Sequence, residues 1–165
     1  IVHQVKSPTE PKVGDVFKQN IDWNWRHKYM KIHTAGHLLH DSLMTIYPDL
    51  KPIRGSHGKK AELEYEGQIE SSDLEKITSV TNDFLNKDLP VVTKEASFEE
   101  LEKECKFIPP NLPRSKRLRM IKIGDFDGMP DGGVHVKSTK EIGKIWIANI
   151  TNIDERSVIR YGIAN

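Results

Sequence analysis

The sequence predicts an α+β fold built on a mainly antiparallel sheet packed with helices. Three observations carry that expectation. Residues 26–47 and 71–87 repeat apolar side chains at helical spacing. Shorter segments alternate apolar with polar side chains as half-buried strands do, most clearly Ala61-Glu62-Leu63-Glu64-Tyr65-Glu66. The two kinds interleave irregularly, without repeated βαβ units, which argues against a doubly wound sheet.

Size and composition narrow the field. A chain of 165 residues fits one domain with at most a small appendage, and is long enough to bury a core. Apolar residues make up 36% and charged residues 30%, ordinary for a soluble, well-solvated surface. The net charge is only +1, so any nucleic-acid surface must be local. Cys105 is the single cysteine, which excludes an intrachain disulfide and fits a reducing, cytoplasmic compartment. No apolar run has the length of a membrane span, and no signal peptide is recognisable. The chain opens on Ile1, which leaves room for a native start upstream.

Residues 1–20 read as a lead-in punctuated by Ser7-Pro8, Glu10-Pro11 and Gly14-Asp15, with Val13, Val16 and Phe17 forming a short strand. The main domain, residues 21–165, begins with a helix from Arg26 to Tyr47. Asp22 or Asn24 caps it, Met30, His33, His37, Leu38 and Met44 share one stripe, and Pro48 ends it. Two short strands follow within residues 52–69, around the turn Gly55-Ser56-His57-Gly58. The second helix, 71–87, is capped by Ser72 or Asp73 and repeats Leu74, Ile77, Val80, Phe84 and Leu85. Leu89 to Ala96 is a strand, and Ser97-Phe98-Glu99-Glu100 is a capping box opening a short helix to Lys106. Pro109-Pro110-Asn111-Leu112-Pro113 is a loop. The basic cluster Arg114, Lys116, Arg117 and Arg119 leads into a strand through Ile123. A glycine-rich loop, 124–133, carries Asp125, Asp127 and Asp131, and Val134 to Val136 is extended. Residues 142–150 and 156–163 are closing strands.

Metal-binding chemistry is the sharpest functional signal. His33 and His37 stand four apart on a helix, on one face, with Cβ atoms roughly 5–6 Å apart. Alone, such a pair is a weak signal. It gains weight from Asp131-Gly132-Gly133-Val134-His135, where two glycines let the backbone approach closely between a carboxylate and a third imidazole. Imidazole and carboxylate both suit zinc, and three protein ligands plus water are its usual catalytic arrangement. Thr34 stands where the metalloprotease helix motif needs glutamate, so that motif is excluded. The other histidines carry weaker readings: His40 as a surface residue or a neighbour of the ligands, His57 as a turn residue able to face the site, His3 and His27 as bystanders. Asp125 and Asp127 read as turn formers. Arg114, Lys116, Arg117 and Arg119 are either phosphate contacts or a solvated face. Trp23 and Trp25 either stack on a base or pack on the first helix, and Cys105 reads as a small packed residue.

Trp23, Arg26 and Met30, then His33-Thr34-Ala35-Gly36-His37-Leu38-Leu39, Arg54-Gly55-Ser56-His57-Gly58, the run Ile123 to Val136 and Thr139-Lys140-Glu141-Ile142-Gly143 resemble, in that order, the editing domains of alanyl-tRNA synthetases. The free-standing AlaX trans-editing proteins are the best match in size, and threonyl-tRNA synthetase editing domains are more distant kin. The resemblance covers residues 21–163. The lead-in resembles the end of the small β-barrel domain that precedes the editing domain in longer AlaX proteins.

That resemblance implies hydrolysis of mischarged tRNA, typically serine and sometimes glycine attached to alanine tRNA, in the service of translation fidelity. It implies zinc held by His33, His37 and His135, with Asp131 standing where the family has cysteine and Val134 where it has threonine. It places Thr34, with Gly132 and Gly133, in the amino-acid pocket, where threonine helps separate serine from alanine. The competing reading of Thr34, the lesser of the two, is an ordinary helix threonine bonded to a preceding carbonyl. Three other functional readings remain: a non-catalytic tRNA-binding module with a degenerate metal site, an editing domain cut from a full synthetase and, most distantly, a metal-dependent hydrolase of a small ester.

Overall fold

A computed structural model describes residue 6 and residues 9–164. Ile1, His3 and the Ser7-Pro8 turn lie outside the described residues. The expected lead-in strand does not form. Residues 9–22 contain no helix or strand, and Val13, Val16 and Phe17 are exposed.

Helix α1 runs Trp23–Ile46. It starts earlier than apolar spacing suggests because Asp22 is the cap, accepting a hydrogen bond from the Trp25 N–H at 3.1 Å. Trp23 and Trp25 therefore sit in its first turn and stack along the helix on His27 and Tyr29. Ile32, Ala35, Leu38, Leu39 and Leu43 form its buried stripe.

A four-stranded antiparallel sheet lies against α1, in the order β1 (Lys51–Ser56), β2 (Ala61–Glu66), β7 (Arg156–Ala164), β6 (Lys144–Ile153). Its inner face carries Leu63, Tyr65, Ile159, Tyr161 and Ile145. On the opposite face Glu62 and Glu64 of β2 lie between Arg54 of β1 and Arg156 and Arg160 of β7, a cross-strand charge ladder. A bulge between Ile147 and Asn149 shifts the register, so the buried side chains of β6 run Ile145, Ile147, Ile150.

Helix α2, Leu74–Asn86, packs on α1 and β6 through Ile77, Thr81 and Leu85. Neither expected cap makes a side-chain capping bond: a 3-10 turn, Ser71–Asp73, precedes α2, and the Asp73 carboxylate instead accepts the Tyr47 hydroxyl at 2.6 Å. Asn82 ties α2 to the sheet through both the N–H and the C=O of Ile145. A second, three-stranded antiparallel sheet has the order β3 (Val91–Ala96), β4 (Leu118–Ile123), β5 (Met129–Pro130). Helix α3, Phe98–Glu104, opens with the expected capping box. It packs with β3 and β4 over a small core of Ala96, Leu101, Cys105 and Met120. Burial pushes the Cys105 thiol up to about 11, which disfavours the thiolate at neutral pH. The architecture is α+β, and among the described residues no helix is long and apolar enough to cross a membrane.

Leu39 is fully buried between α1 and the sheet. Leu39→Ala is expected to cost about 2–5 kcal/mol in urea denaturation, and an unchanged midpoint would contradict this packing.

Candidate metal centre

Two elements meet at this centre. α1 supplies His33 and His37, whose rings lie 5.1 Å apart, centroid to centroid. The segment after β5 supplies Asp131 and His135. That segment belongs to neither sheet; hydrogen bonds to Arg119 of the strand before it, one within the segment and one to α1 hold it in place. The Asp131 N–H donates to the Arg119 carbonyl at 2.9 Å, prolonging the β4–β5 pairing. The Arg119 guanidinium donates to the carbonyls of both Gly132 and Gly133. The Gly133 N–H donates to the Asp131 carboxylate. The Val136 N–H donates to the Thr34 hydroxyl at 3.2 Å. Of the two glycines only Gly133 is required by close approach: a Cβ there would run into the His33 ring and the Asp131 carboxylate, whereas Gly132 faces open space.

The four side chains converge. His33 Nε2 lies 3.2 Å and His37 Nε2 3.5 Å from Asp131 Oδ2, and His135 Nε2 lies 3.1 Å from Oδ1. One ligand atom from each lies within 4.8 Å of all the others. The Nε2 atoms of His33 and His37 are nevertheless buried without a well-aligned hydrogen-bond partner. A buried, unpaired polar atom costs roughly 1–3 kcal/mol. Two such nitrogens aimed at one carboxylate are what a metal ion would satisfy, and three imidazoles with one carboxylate match a four-coordinate zinc set. The residues therefore fit the metal.

The electrostatics agree. Burial opposes ionisation of Asp131, but the hydrogen bond from His135 and the close imidazoles of His33 and His37 outweigh it and hold the carboxyl well below the usual carboxylate range. Burial pushes the His37 imidazole down, with Asp131 partly offsetting it. These shifts favour a neutral imidazole and an ionised carboxylate, the protonation states that bind metal.

A cavity of about 470 Å³ opens beside the cluster. His33, His37, His57 and Asp131 line one side of it, and Ile53, Phe107, Pro109 and Met129 supply an apolar wall. Thr34 is not among its lining residues. It is fully buried, its hydroxyl donating to the Met30 carbonyl at 2.9 Å while accepting from Val136. His57 has a larger place than its sequence position suggests: its ring stacks on His33 at 4.2 Å and its Nδ1 meets the Tyr161 hydroxyl at 2.7 Å. Its place in the glycine turn Gly55-Ser56-His57-Gly58, part of the family resemblance, hinted at this, and nothing in the sequence pointed to Tyr161. His40 is buried rather than at the surface, its Nδ1 2.9 Å from the Tyr65 hydroxyl.

The basic cluster divides. Arg119 is turned inward to the glycine carbonyls. Arg117 bonds the Glu95 carbonyl and Glu100, and Arg114 lies over Phe98 near Glu102. Lys116 is exposed and makes no ion pair among the described residues. Asp125 lies in a turn, as expected, and His27 pairs with Glu141.

Buried His37 and His40 and half-buried His57 make stability pH-dependent. Burial lowers His37, and lowers His40 to about 4 and His57 to about 3, from an ordinary 6.5. The unfolded chain binds these protons first, so their contribution is complete above 6.5 and is lost as pH falls toward 4 and below. Asp131 acts in the same direction below its ordinary 3.8, and Asp41, raised by burial, acts against it. Urea midpoints are expected to fall between pH 7 and pH 4; a flat profile would contradict the buried neutral rings.

Comparison with known proteins bears on the same residues. The family described as "Threonyl and Alanyl tRNA synthetase second additional domain" matches residues 118–157, which include Asp131 and His135. The alanyl-tRNA editing protein AlaX-L of Pyrococcus horikoshii is 36% identical over 138 residues, covering 82% of this chain and 33% of that protein. The alanine–tRNA ligases of Pediococcus pentosaceus (28% over 156 residues) and Streptococcus thermophilus (32% over 146 residues) cover 92% and 86% of this chain. The chain spans a third of AlaX-L and under a fifth of those two ligases, at 18% and 17% of their lengths. From these matches, together with the fold and the converging histidines, the chain belongs to the family of AlaX-type editing proteins and alanyl-tRNA synthetase editing domains.

Proposed function

We propose that this protein is a metal-dependent aminoacyl-tRNA deacylase acting in trans on misacylated alanine tRNA, with serine the amino acid removed and glycine a second candidate. The convergence of His33, His37, Asp131 and His135 at the edge of the cavity is the observation that carries this reading. The relative AlaX-L, named as an alanyl-tRNA editing protein, supports the substrate class.

His33, His37, His135 and Asp131 would hold the metal. When bound there, a zinc ion supplies Lewis-acid chemistry suited to ester hydrolysis. The protein does the rest. Arg119 and the glycine carbonyls fix Asp131, so the site is preorganised rather than assembled on binding. The apolar wall of Ile53, Phe107 and Pro109 offers a surface to the terminal nucleoside and restricts water around the ester. Asp131 in place of a thiolate gives a harder ligand set without sulfur. Lys116, which makes no ion pair among the described residues, is the cation of the basic cluster for a backbone phosphate, with Arg114 two positions before it in sequence.

Deacylation of Ser-tRNA(Ala), run beside Ala-tRNA(Ala), tests the proposal. The chelated protein should be inactive, and zinc should restore loss of serine while alanine is spared. His33→Ala should abolish turnover even with zinc. Turnover unchanged by chelation or by that substitution would contradict the metal-dependent mechanism, and no turnover in any state would favour a tRNA-binding module.

A further inference from the structure

We infer that a second cavity, adjoining the one at the metal cluster, is the base pocket for the terminal adenosine of the substrate, and that Asp41 reads the amino edge of that base. This rests on the deacylase reading above and names the part of the tRNA end that the protein recognises.

His33, His37 and Asp41 stand at i, i+4 and i+8 on α1, along one ridge of the helix. Asp41 is therefore one turn beyond the last helix ligand, about 6 Å of axial rise. It lines a cavity of about 250 Å³ walled by Lys106 and Phe107 and by residues 125–129. His40, Phe107 and Met129 line both this cavity and the larger one at the cluster. A ligand whose ester is held at the cluster thus has a second chamber next to it, with Phe107 where the two adjoin. An aminoacyl adenosine has the matching shape, with its ester at one end and a planar base at the other.

The chemistry of the second chamber favours a base over a phosphate or a metal ion. Asp125 and Asp127 also line it, and its one cation, Lys106, is committed to the Pro48 carbonyl at 2.7 Å. Such a wall repels a phosphate. Among the described residues the three aspartates do not converge as a metal-ligand group, unlike the four side chains at the metal centre.

Asp41 itself is half-buried, and its carboxyl makes no hydrogen bond or ion pair among the described residues; the Thr45 hydroxyl donates to its backbone carbonyl instead. Burial, and the Asp127 carboxylate nearby, push the Asp41 carboxyl well above its ordinary 3.8, which favours the protonated acid. A carboxylic acid both donates and accepts. Adenine offers a 6-amino donor beside a ring-nitrogen acceptor, so the two pair in a bidentate way, as an asparagine amide does with adenine. Guanine and uracil carry a carbonyl where adenine has its amino group and lose that match. Phe107 gives the base an aromatic neighbour, the usual companion of an unstacked nucleobase.

The test uses the zinc-supplemented full chain and two non-hydrolysable probes, with affinities measured by calorimetry. One is 3′-(L-serylamino)-3′-deoxyadenosine; the other is its purine riboside counterpart, which lacks only the 6-amino group. Wild type should prefer the adenine probe by about tenfold, the scale of one bidentate base contact. Asp41→Ala should lose that preference while holding the purine probe as before, and Asp41→Asn, whose amide also donates and accepts, should keep it. Zinc content of one per chain in each variant reports an intact fold. Equal affinity of wild type for the two probes, a preference kept by Asp41→Ala or lost by Asp41→Asn, or manganese(II) bound without nucleoside and released by Asp41→Ala in electron paramagnetic resonance would each overturn the assignment and leave the deacylase reading intact. Wild type binding neither probe would overturn that reading and the assignment with it.

Discussion

The site depends on one interaction, the reach of the Arg119 guanidinium to the carbonyls of Gly132 and Gly133. β4 carries Arg119 in register with β5, and the chain leaves β5 directly into those glycines. Fastening their carbonyls turns the segment toward α1, where Asp131 meets His33, His37 and His135. Gly133 can come that close to His33 because it has no side chain. Thr34 secures the far end of the segment through Val136, so a residue of the histidine helix also anchors the strand-like stretch that completes the set.

This closure gathers imidazoles and a carboxylate where little water reaches them. Burial alone would push Asp131 toward its neutral form. The surrounding ring nitrogens instead hold it ionised, while the buried histidines nearby are driven toward their neutral forms. A half-buried anion facing unpaired imidazole nitrogens is an unfinished structure unless a cation joins it. The same burial that makes the centre costly for the folded apoprotein makes it receptive to a divalent metal.

The helix pair His33 and His37 and the downstream Asp131 and His135 were legible in the sequence because spacing and glycines betray them. The α+β class was legible because helical and strand periodicities are local properties. What stayed hidden required the tertiary fold. Arg119 looked like one member of a basic run, since sequence does not show which side chains of a strand turn inward. His57 looked like a turn residue because its partners, His33 and Tyr161, are 24 and 104 positions away. Thr34 carried two readings, and its hydrogen bonds match the helix-threonine one, with an added role in anchoring Val136. The lead-in hydrophobes Val13, Val16 and Phe17 misled because a strand needs a partner as well as a pattern.

X-ray absorption at the zinc edge of the zinc-loaded protein tests the central claim most directly. The account predicts one zinc per chain in a shell of nitrogen and oxygen at about 2.0–2.2 Å, with several imidazole rings and no sulfur. A shell containing sulfur at about 2.3 Å, or one without imidazole scattering, would contradict it.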